Sequence, residues 1–181
     1  MNNDIEKVLF SEEQLQRRVR EMGAEISRDY AGKNPTMVCI LKGAVMFYTD
    51  LLRNISVPLT MDFMAVSSYG NKTKSSGEVE IRKDLSTSIE NKHVIVVEDI
   101  VDSGFTLSYI TRMLSSRGAA SVRLATLLDK PSRRAPGITL KSDYSGFEVG
   151  DEFVVGYGLD YAEYYRNLPY IGVLKPEIYQ S

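Results

Sequence analysis

The chain has 181 residues, 43% of them hydrophobic and 25% charged, which is enough for one domain with a full core. A net charge of −2 gives no general electrostatic reason to bind nucleic acid or an anionic membrane, and no apolar run is long enough to span a bilayer. One cysteine, Cys39, excludes an intramolecular disulfide, and one histidine, His93, excludes a histidine-based metal cluster.

In chain order, the first residues lack a basic region followed by an apolar stretch, so no secretory signal is expected and a cytoplasmic location is. Residues 11–30 carry Leu15, Val19, Met22, Ile26 and Tyr30 at steps of three and four, which predicts an amphipathic helix. Ser11 followed by Gln14 is a capping box at its start. A strand follows over 36–41, with Cys39 as a buried small hydrophobe, and then a helix over 44–53, so Lys42-Gly43 sits on a strand-to-helix turn. Residues 59–66 form another strand. The polar stretch 67–80, with Gly70 and Gly77 and no apolar periodicity, is too long for an ordinary connection, and its composition alone reads as a disordered surface loop. His93 precedes a strand over 94–97, and a helix lined by Leu107, Ile110 and Leu114 ends at Gly118. After a strand over 122–128 come short strands at 144–148, 153–157 and 170–174, with a helical turn at 162–166. The alternation indicates a single α/β domain over 1–181, its mainly parallel central sheet flanked by helices, with a small lobe appended late in the chain.

The richest chemistry lies in residues 94–107. Val94 to Val97 can be buried on both faces, which carries Glu98 and Asp99 to the carboxyl end of the sheet, where open α/β folds place ligands. Ser103, Gly104, Phe105 and Thr106 then open a helix with unpaired N–H groups and two hydroxyls, a setting that favours a phosphate. Carboxylates are poor phosphate ligands. Glu98 and Asp99 suit the hydroxyls of a sugar, directly or through Mg²⁺.

This stretch resembles the 5-phosphoribosyl-1-pyrophosphate (PRPP) signature of type I phosphoribosyltransferases. Leu41-Lys42-Gly43-Ala44, Ser68-Tyr69, Lys130, Phe153-Val154-Val155-Gly156-Tyr157 and Leu159-Asp160-Tyr161 with Arg166 fall in the order and approximate spacing of the hypoxanthine-guanine phosphoribosyltransferases, over nearly the whole chain. The resemblance implies the type I phosphoribosyltransferase fold, with a hood from both chain ends and a flexible lid loop over about 67–80. It implies transfer of the phosphoribosyl group from PRPP to N9 of hypoxanthine or guanine, with Mg²⁺ as cofactor and a homo-oligomer, dimer or tetramer, as the working form. By the same resemblance Ser103, Gly104, Phe105 and Thr106 hold the 5-phosphate, and Glu98 and Asp99 the ribose. Lys42, Gly43 and Arg166 take the pyrophosphate, with a non-proline cis peptide at Leu41-Lys42, while Ser68 and Tyr69 belong to the lid. Asp160, with Glu98 and Asp99, serves the metal. Asp102 is the acid/base at N7 of the purine, Phe153 stacks on the base, the Val154 backbone reads its N1/C2 edge, and Lys130 donates to O6.

Structural alternatives stand beside these roles. Asp102 also suits a helix cap, Lys42 a surface lysine and Arg166 a surface partner of Glu163. Pro131 stands where many relatives have arginine, and either Arg133 or Arg134 could serve the pyrophosphate end instead. A PRPP-sensing regulatory or RNA-binding protein on the same fold is the alternative function. Such a sensor would need only the phosphate and ribose contacts, whereas Lys42, Asp102, Lys130 and Asp160 are all present.

Overall fold

The computed structural model describes residues 1–68 and 79–180. Its elements are β1 (Ile5–Phe10), α1 (Glu12–Asp29), β2 (Thr36–Leu41), α2 (Val45–Arg53), β3 (Thr60–Ser68), β4 (Val79–Lys83), β5 (His93–Val101), α3 (Phe105–Ser116), β6 (Ser121–Asp129), β7 (Tyr144–Glu148), β8 (Val154–Val155), β9 (Ile171–Leu174) and α4 (Pro176–Tyr179). Six strands form one sheet in the order β4-β3-β2-β5-β6-β7, parallel except for β4, and β1-β9-β8 form a separate antiparallel sheet from the two chain ends. The fold class is as expected. Among the described residues no helix is long and apolar enough to cross a membrane.

Local chemistry explains the elements that were anticipated. At the start of α1, Ser11 N–H donates to Gln14 Oε1 at 2.8 Å and Gln14 N–H to Ser11 Oγ at 3.3 Å, so the capping box is closed. Leu15, Val19, Met22 and Ile26 of α1 then pack with α2 against Met37, Cys39, Ile95 and Val97 on one sheet face. On the other face Leu107, Ile110 and Leu114 of α3 cover Val38, Ile40, Val94 and Val96. A strand whose alternate residues both meet helices reads as an unbroken apolar run, as 94–97 does.

The parallel register fixes where the loops meet. Cys39 lies beside Val97 and Val101 beside Asp129, which brings Lys42-Gly43, residues 98–102 and Lys130 to one edge of the sheet. The alternation slips by one across Glu98 and Asp99. Val94, Val96 and then Val101 pack toward α3, whereas Ile95, Val97 and then Ile100 pack toward α1 and α2.

Four expectations are corrected. Strand β1 was not anticipated, because only one side of it is covered and Val8 is left exposed. Both ends of the polar stretch 67–80 belong to a hairpin, with Ser67 paired to Glu80 and Ser68 to Val79, since main-chain pairing needs no apolar pattern. Tyr69 and the rest of that expected lid lie outside the described residues. His93 begins β5 instead of preceding it, with Nδ1 2.8 Å from Ser121 Oγ on β6. The helical turn at 162–166 is instead a reverse turn: Ala162 and Glu163 have φ of 51° and 71°, and Tyr161 and Tyr164 exchange backbone hydrogen bonds at 3.2 and 3.0 Å. The Glu163 N–H donates to Asp160 Oδ2 at 2.9 Å, which holds that turn from outside it.

Candidate active site

A cavity of about 240 Å³ at the carboxyl end of β5 is lined by Glu98, Asp99, Ile100, Asp102, Ser103, Gly104, Thr106 and Leu107. Here the carboxylates and the start of α3 converge as the residue pattern implied. Gly104 is the residue before α3, and its φ of 83° is a left-handed conformation that glycine adopts without strain. The Gly104 carbonyl accepts from Ser108 N–H at 2.9 Å, and the preceding N–H groups of the first turn have no helical partner. Phe105, which opens α3, is not among the residues that line the cavity. No side chain caps α3, so the expectation that Asp102 could be its cap is corrected.

Electrostatics distinguish the two carboxylates from ordinary surface acids. Burial, reinforced by the neighbouring Asp99 charge, pushes Glu98 well above the usual carboxylate range. Asp99 is also raised, chiefly by burial. A sugar hydroxyl or a cation placed against the pair favours its ionised form. Cys39 behind them is pushed up to about 12 by burial and then by the Glu98 and Asp99 charges, so it is no thiolate nucleophile.

The Lys42-Gly43 turn abuts the same pair, and the Leu41–Lys42 peptide is cis. A Cβ on Gly43 would fall well inside van der Waals contact with Asp99 Oδ2 and 2.8 Å from Asp99 Cγ. One on Gly158, whose φ is 103°, would collide in the same way with the Gly43 carbonyl. Two glycines thus let the turn after β2 lie between Asp99 and the loop after β8. The pattern Gly156-Tyr157-Gly158 signals such a close approach, although the sequence reading drew no role from it.

Lys42 and Arg166 join one ion-pair group. Lys42 Nζ lies 2.8 Å from Glu163 Oε2, and Arg166 Nη2 lies 3.0 Å from Asp160 Oδ1 and 3.6 Å from Glu163 Oε1. Arg166 Nη1 also donates to the Gly158 carbonyl at 2.7 Å, while its buried Nε has no partner among the described residues. Glu163 is therefore more than a surface partner of Arg166: its carboxylate lies between the two cations assigned to an anion. Lys42 holds the Glu163 carboxyl below its ordinary range. Both Asp160 oxygens are engaged, and among the described residues no three His, Cys, Asp or Glu side chains form a cluster that could hold a metal.

Lys130 is buried just beyond β6, its N–H on the Val101 carbonyl at 2.9 Å and its Nζ donating to the Glu152 carbonyl at 2.7 Å. That bond ties it to the residue before Phe153. Phe153 itself precedes β8, and Val154 is buried and pairs with Val173. Neither Arg133 nor Arg134 belongs to the ion-pair group of Lys42 and Arg166. Arg133 Nε is 3.5 Å from Asp102 Oδ1, and Arg134 pairs with Asp129 while donating to the Asp102 carbonyl at 2.8 Å. With Ala135 N–H on the Ser103 carbonyl at 3.0 Å, the 131–138 loop buttresses the turn that opens α3, a role missed because it depends on two loops meeting.

A family model for the phosphoribosyl transferase domain matches residues 9–162. The chain is 58% identical over 181 residues to the hypoxanthine-guanine phosphoribosyltransferase of Bacillus subtilis, covering all of this chain and 99% of that one. It is 60% identical over 181 residues to the bifunctional protein TilS/HprT of Listeria innocua, where it covers all of this chain but spans only 28% of that protein's length. The crystal structure of a hypoxanthine phosphoribosyltransferase from Staphylococcus aureus is similar at a TM-score of 0.96 and 52% identity, covering 100% of this chain and 97% of the other.

Proposed function

This chain belongs to the phosphoribosyl transferase family, and we propose that within it the protein transfers the 5-phosphoribosyl group from PRPP to N9 of hypoxanthine or guanine, releasing pyrophosphate. The observation that carries the proposal is a cavity lined by Glu98, Asp99, Asp102 and the start of α3, which sets paired carboxylates suited to a diol beside a helix start suited to an anion. Release of pyrophosphate from PRPP only when a 6-oxopurine is present tests it, and base-independent release would argue for another reaction. The regulatory alternative draws no support from the relatives, which are named as enzymes. A single domain with a lid over about 67–80, a cytoplasmic location and a homodimer or homotetramer complete the proposal.

The chain's own groups divide the work. The N–H groups opening α3 and the Ser103 and Thr106 hydroxyls would hold the 5-phosphate, while Glu98 and Asp99 accept hydrogen bonds from the ribose hydroxyls. Lys42, the Gly43 backbone and Arg166 would receive the pyrophosphate, exchanging Glu163 for phosphate oxygens. Since Lys42 and Glu163 are both exposed, that exchange is inexpensive. Phe153 stacks on the purine and the Val154 backbone meets its N1/C2 edge. Asp102 takes the N7 proton as N9 bonds to C1 and the C1–O bond to pyrophosphate breaks. Ser68 and Tyr69 would close over the leaving group and keep water from the electron-poor C1.

The donor set fits Mg²⁺ carried in by its substrate. Such ions are held by one or two carboxylates plus substrate phosphates instead of by an all-protein cage. The raised Glu98 and Asp99, without a third carboxylate clustered on them, have that character. Glu98 and Asp99 would hold the ion together with substrate oxygens, and Asp160, whose oxygens are engaged by Arg166 and the Glu163 N–H, would reach it directly by exchanging those partners or through water. When bound, the ion neutralises the charge developing on pyrophosphate. Calorimetric titration of Mg²⁺ should accordingly give weak binding to the protein alone and affinity at least about tenfold tighter with PRPP present. Equal affinity in both titrations would mean a preformed metal cage.

Base choice falls to Lys130. Its ammonium has three donors and no acceptor, and the Glu152 carbonyl occupies one of them. The remainder match O6 of hypoxanthine or guanine but meet the amino group of adenine donor to donor. Lys130→Gln, whose amide both donates and accepts, should shrink the ratio of kcat/KM for hypoxanthine over adenine by about tenfold. A proportional loss for both bases would remove Lys130 from the O6 position.

A further inference from the structure

We infer that Tyr179, near the C-terminal end of the chain, is a positioning residue for purine binding: it backs the Phe153 ring from the face opposite the base. The inference rests on Phe153 being the base-stacking ring. The two rings are stacked, with centroids 4.7 Å apart and an interplanar angle of 20°, while Tyr161 meets Phe153 at 5.7 Å and 87°. All three belong to the small apolar cluster of the β1-β9-β8 sheet, around Val155 and Leu174.

Phe153 needs such support because its main chain lies just outside β8. Its carbonyl is held by Leu174 N–H at 2.9 Å, which fixes the main chain and leaves the ring's two side-chain torsions to its packing neighbours. Tyr179 is placed to fix them. Pro176 starts α4 directly after β9, Lys175 N–H is on the Asp4 carbonyl at 2.9 Å, and Ile178 N–H is on the Lys175 carbonyl at 3.0 Å. These bonds anchor the C-terminal turn at the end of β9, the strand between β1 and β8, and the ring contact sets Tyr179 on Phe153. A ring clamped on one face presents the other as a ready platform, so a purine binds without ordering it. No role was read for Tyr179 from sequence, because it follows a proline-led turn with no periodic pattern.

The test is steady-state kinetics on Tyr179→Ala, Tyr179→Phe and Phe153→Leu, each with hypoxanthine and PRPP varied in turn. Tyr179→Ala should raise KM for hypoxanthine by about 3- to 10-fold and leave KM for PRPP within about 2-fold, whereas Tyr179→Phe, which keeps the ring, should leave both near their native values. In the Phe153→Leu background, Tyr179→Ala should add nothing further. If Tyr179→Ala fails to fold, Tyr179→Leu keeps an apolar side chain there and should raise the same KM. A lowered KM for hypoxanthine would mean that Tyr179 occupies the base position, and equal increases in both KM values would mean that it only stabilises the lobe. Either result overturns the inference. It is likewise overturned if Phe153→Leu raises KM for hypoxanthine and Tyr179→Ala does not, which would leave the stacking role of Phe153 intact. If Phe153→Leu itself leaves KM for hypoxanthine unchanged, the stacking assignment fails first.

Discussion

Gly43→Ala should fold normally and yet lower kcat/KM for PRPP by about 10²-fold. The added methyl has nowhere to go except into the Asp99 carboxylate, whose Cγ would be 2.8 Å away. Asp99 is a side chain, so it can rotate away at modest cost to stability. It cannot do so and still accept a ribose hydroxyl from its present place. The Gly43 carbonyl is also fitted closely against Gly158, which keeps the turn from retreating to make room. Circular dichroism and a thermal melt would report an intact fold, while initial rates with PRPP varied would report the loss. Full activity in a folded variant would mean that Asp99 is not held against Gly43 for the sugar.

Asp102→Asn is expected to cost roughly 10²-fold in kcat, the usual share of a general acid/base. Its effect on stability should be small. Gly104, not Asp102, precedes α3, and the Asp102 carboxylate is 54% exposed, its one ion-pair partner among the described residues being the exposed Arg133 at 3.5 Å. The Asp102 carbonyl, which Arg134 holds at 2.8 Å, is untouched by the substitution. Asparagine keeps the size and one acceptor oxygen but cannot take the N7 proton. A rate within a factor of two of the native protein would remove Asp102 from the chemistry.

Much of the fold was legible because burial on a helix or between two helical layers imposes a period on the chain. Leu15, Val19, Met22 and Ile26 in α1, and the unbroken Val94 to Val97 in β5, are such cases. β1 escaped because a half-covered edge leaves Val8 exposed, and β4 because its pairing with β3 runs through Ser67, Ser68, Val79 and Glu80 by main-chain bonds. The turn at Ala162-Glu163 was misread for another reason. Its left-handed residues are not the Asn-Gly type that marks such turns, and the bond from Glu163 N–H to Asp160 supports it instead.

The site divides along the same line. Glu98, Asp99, Asp102, Ser103, Gly104 and Thr106 are close in sequence, and one strand-to-helix connection gathers them in one cavity. Lys42, Asp160 and Arg166 are distant in sequence and were assigned by resemblance. Their link through Glu163 appears only when the loop after β8 is seen beside the turn after β2. Tyr179 carried no signal, and Arg134 was read only toward the pyrophosphate, for a comparable reason: each acts on a loop or ring that approaches only in three dimensions.

The most direct test of the proposed reaction is nucleotide and pyrophosphate formation from PRPP with hypoxanthine, guanine, xanthine and adenine offered separately to the native protein. Hypoxanthine and guanine are expected to yield IMP and GMP with one pyrophosphate each, and adenine to react at least about 10²-fold less efficiently, because Lys130 offers its amino group no acceptor. No nucleotide from either 6-oxopurine, or adenine used as well as hypoxanthine, would contradict the reaction proposed for this site.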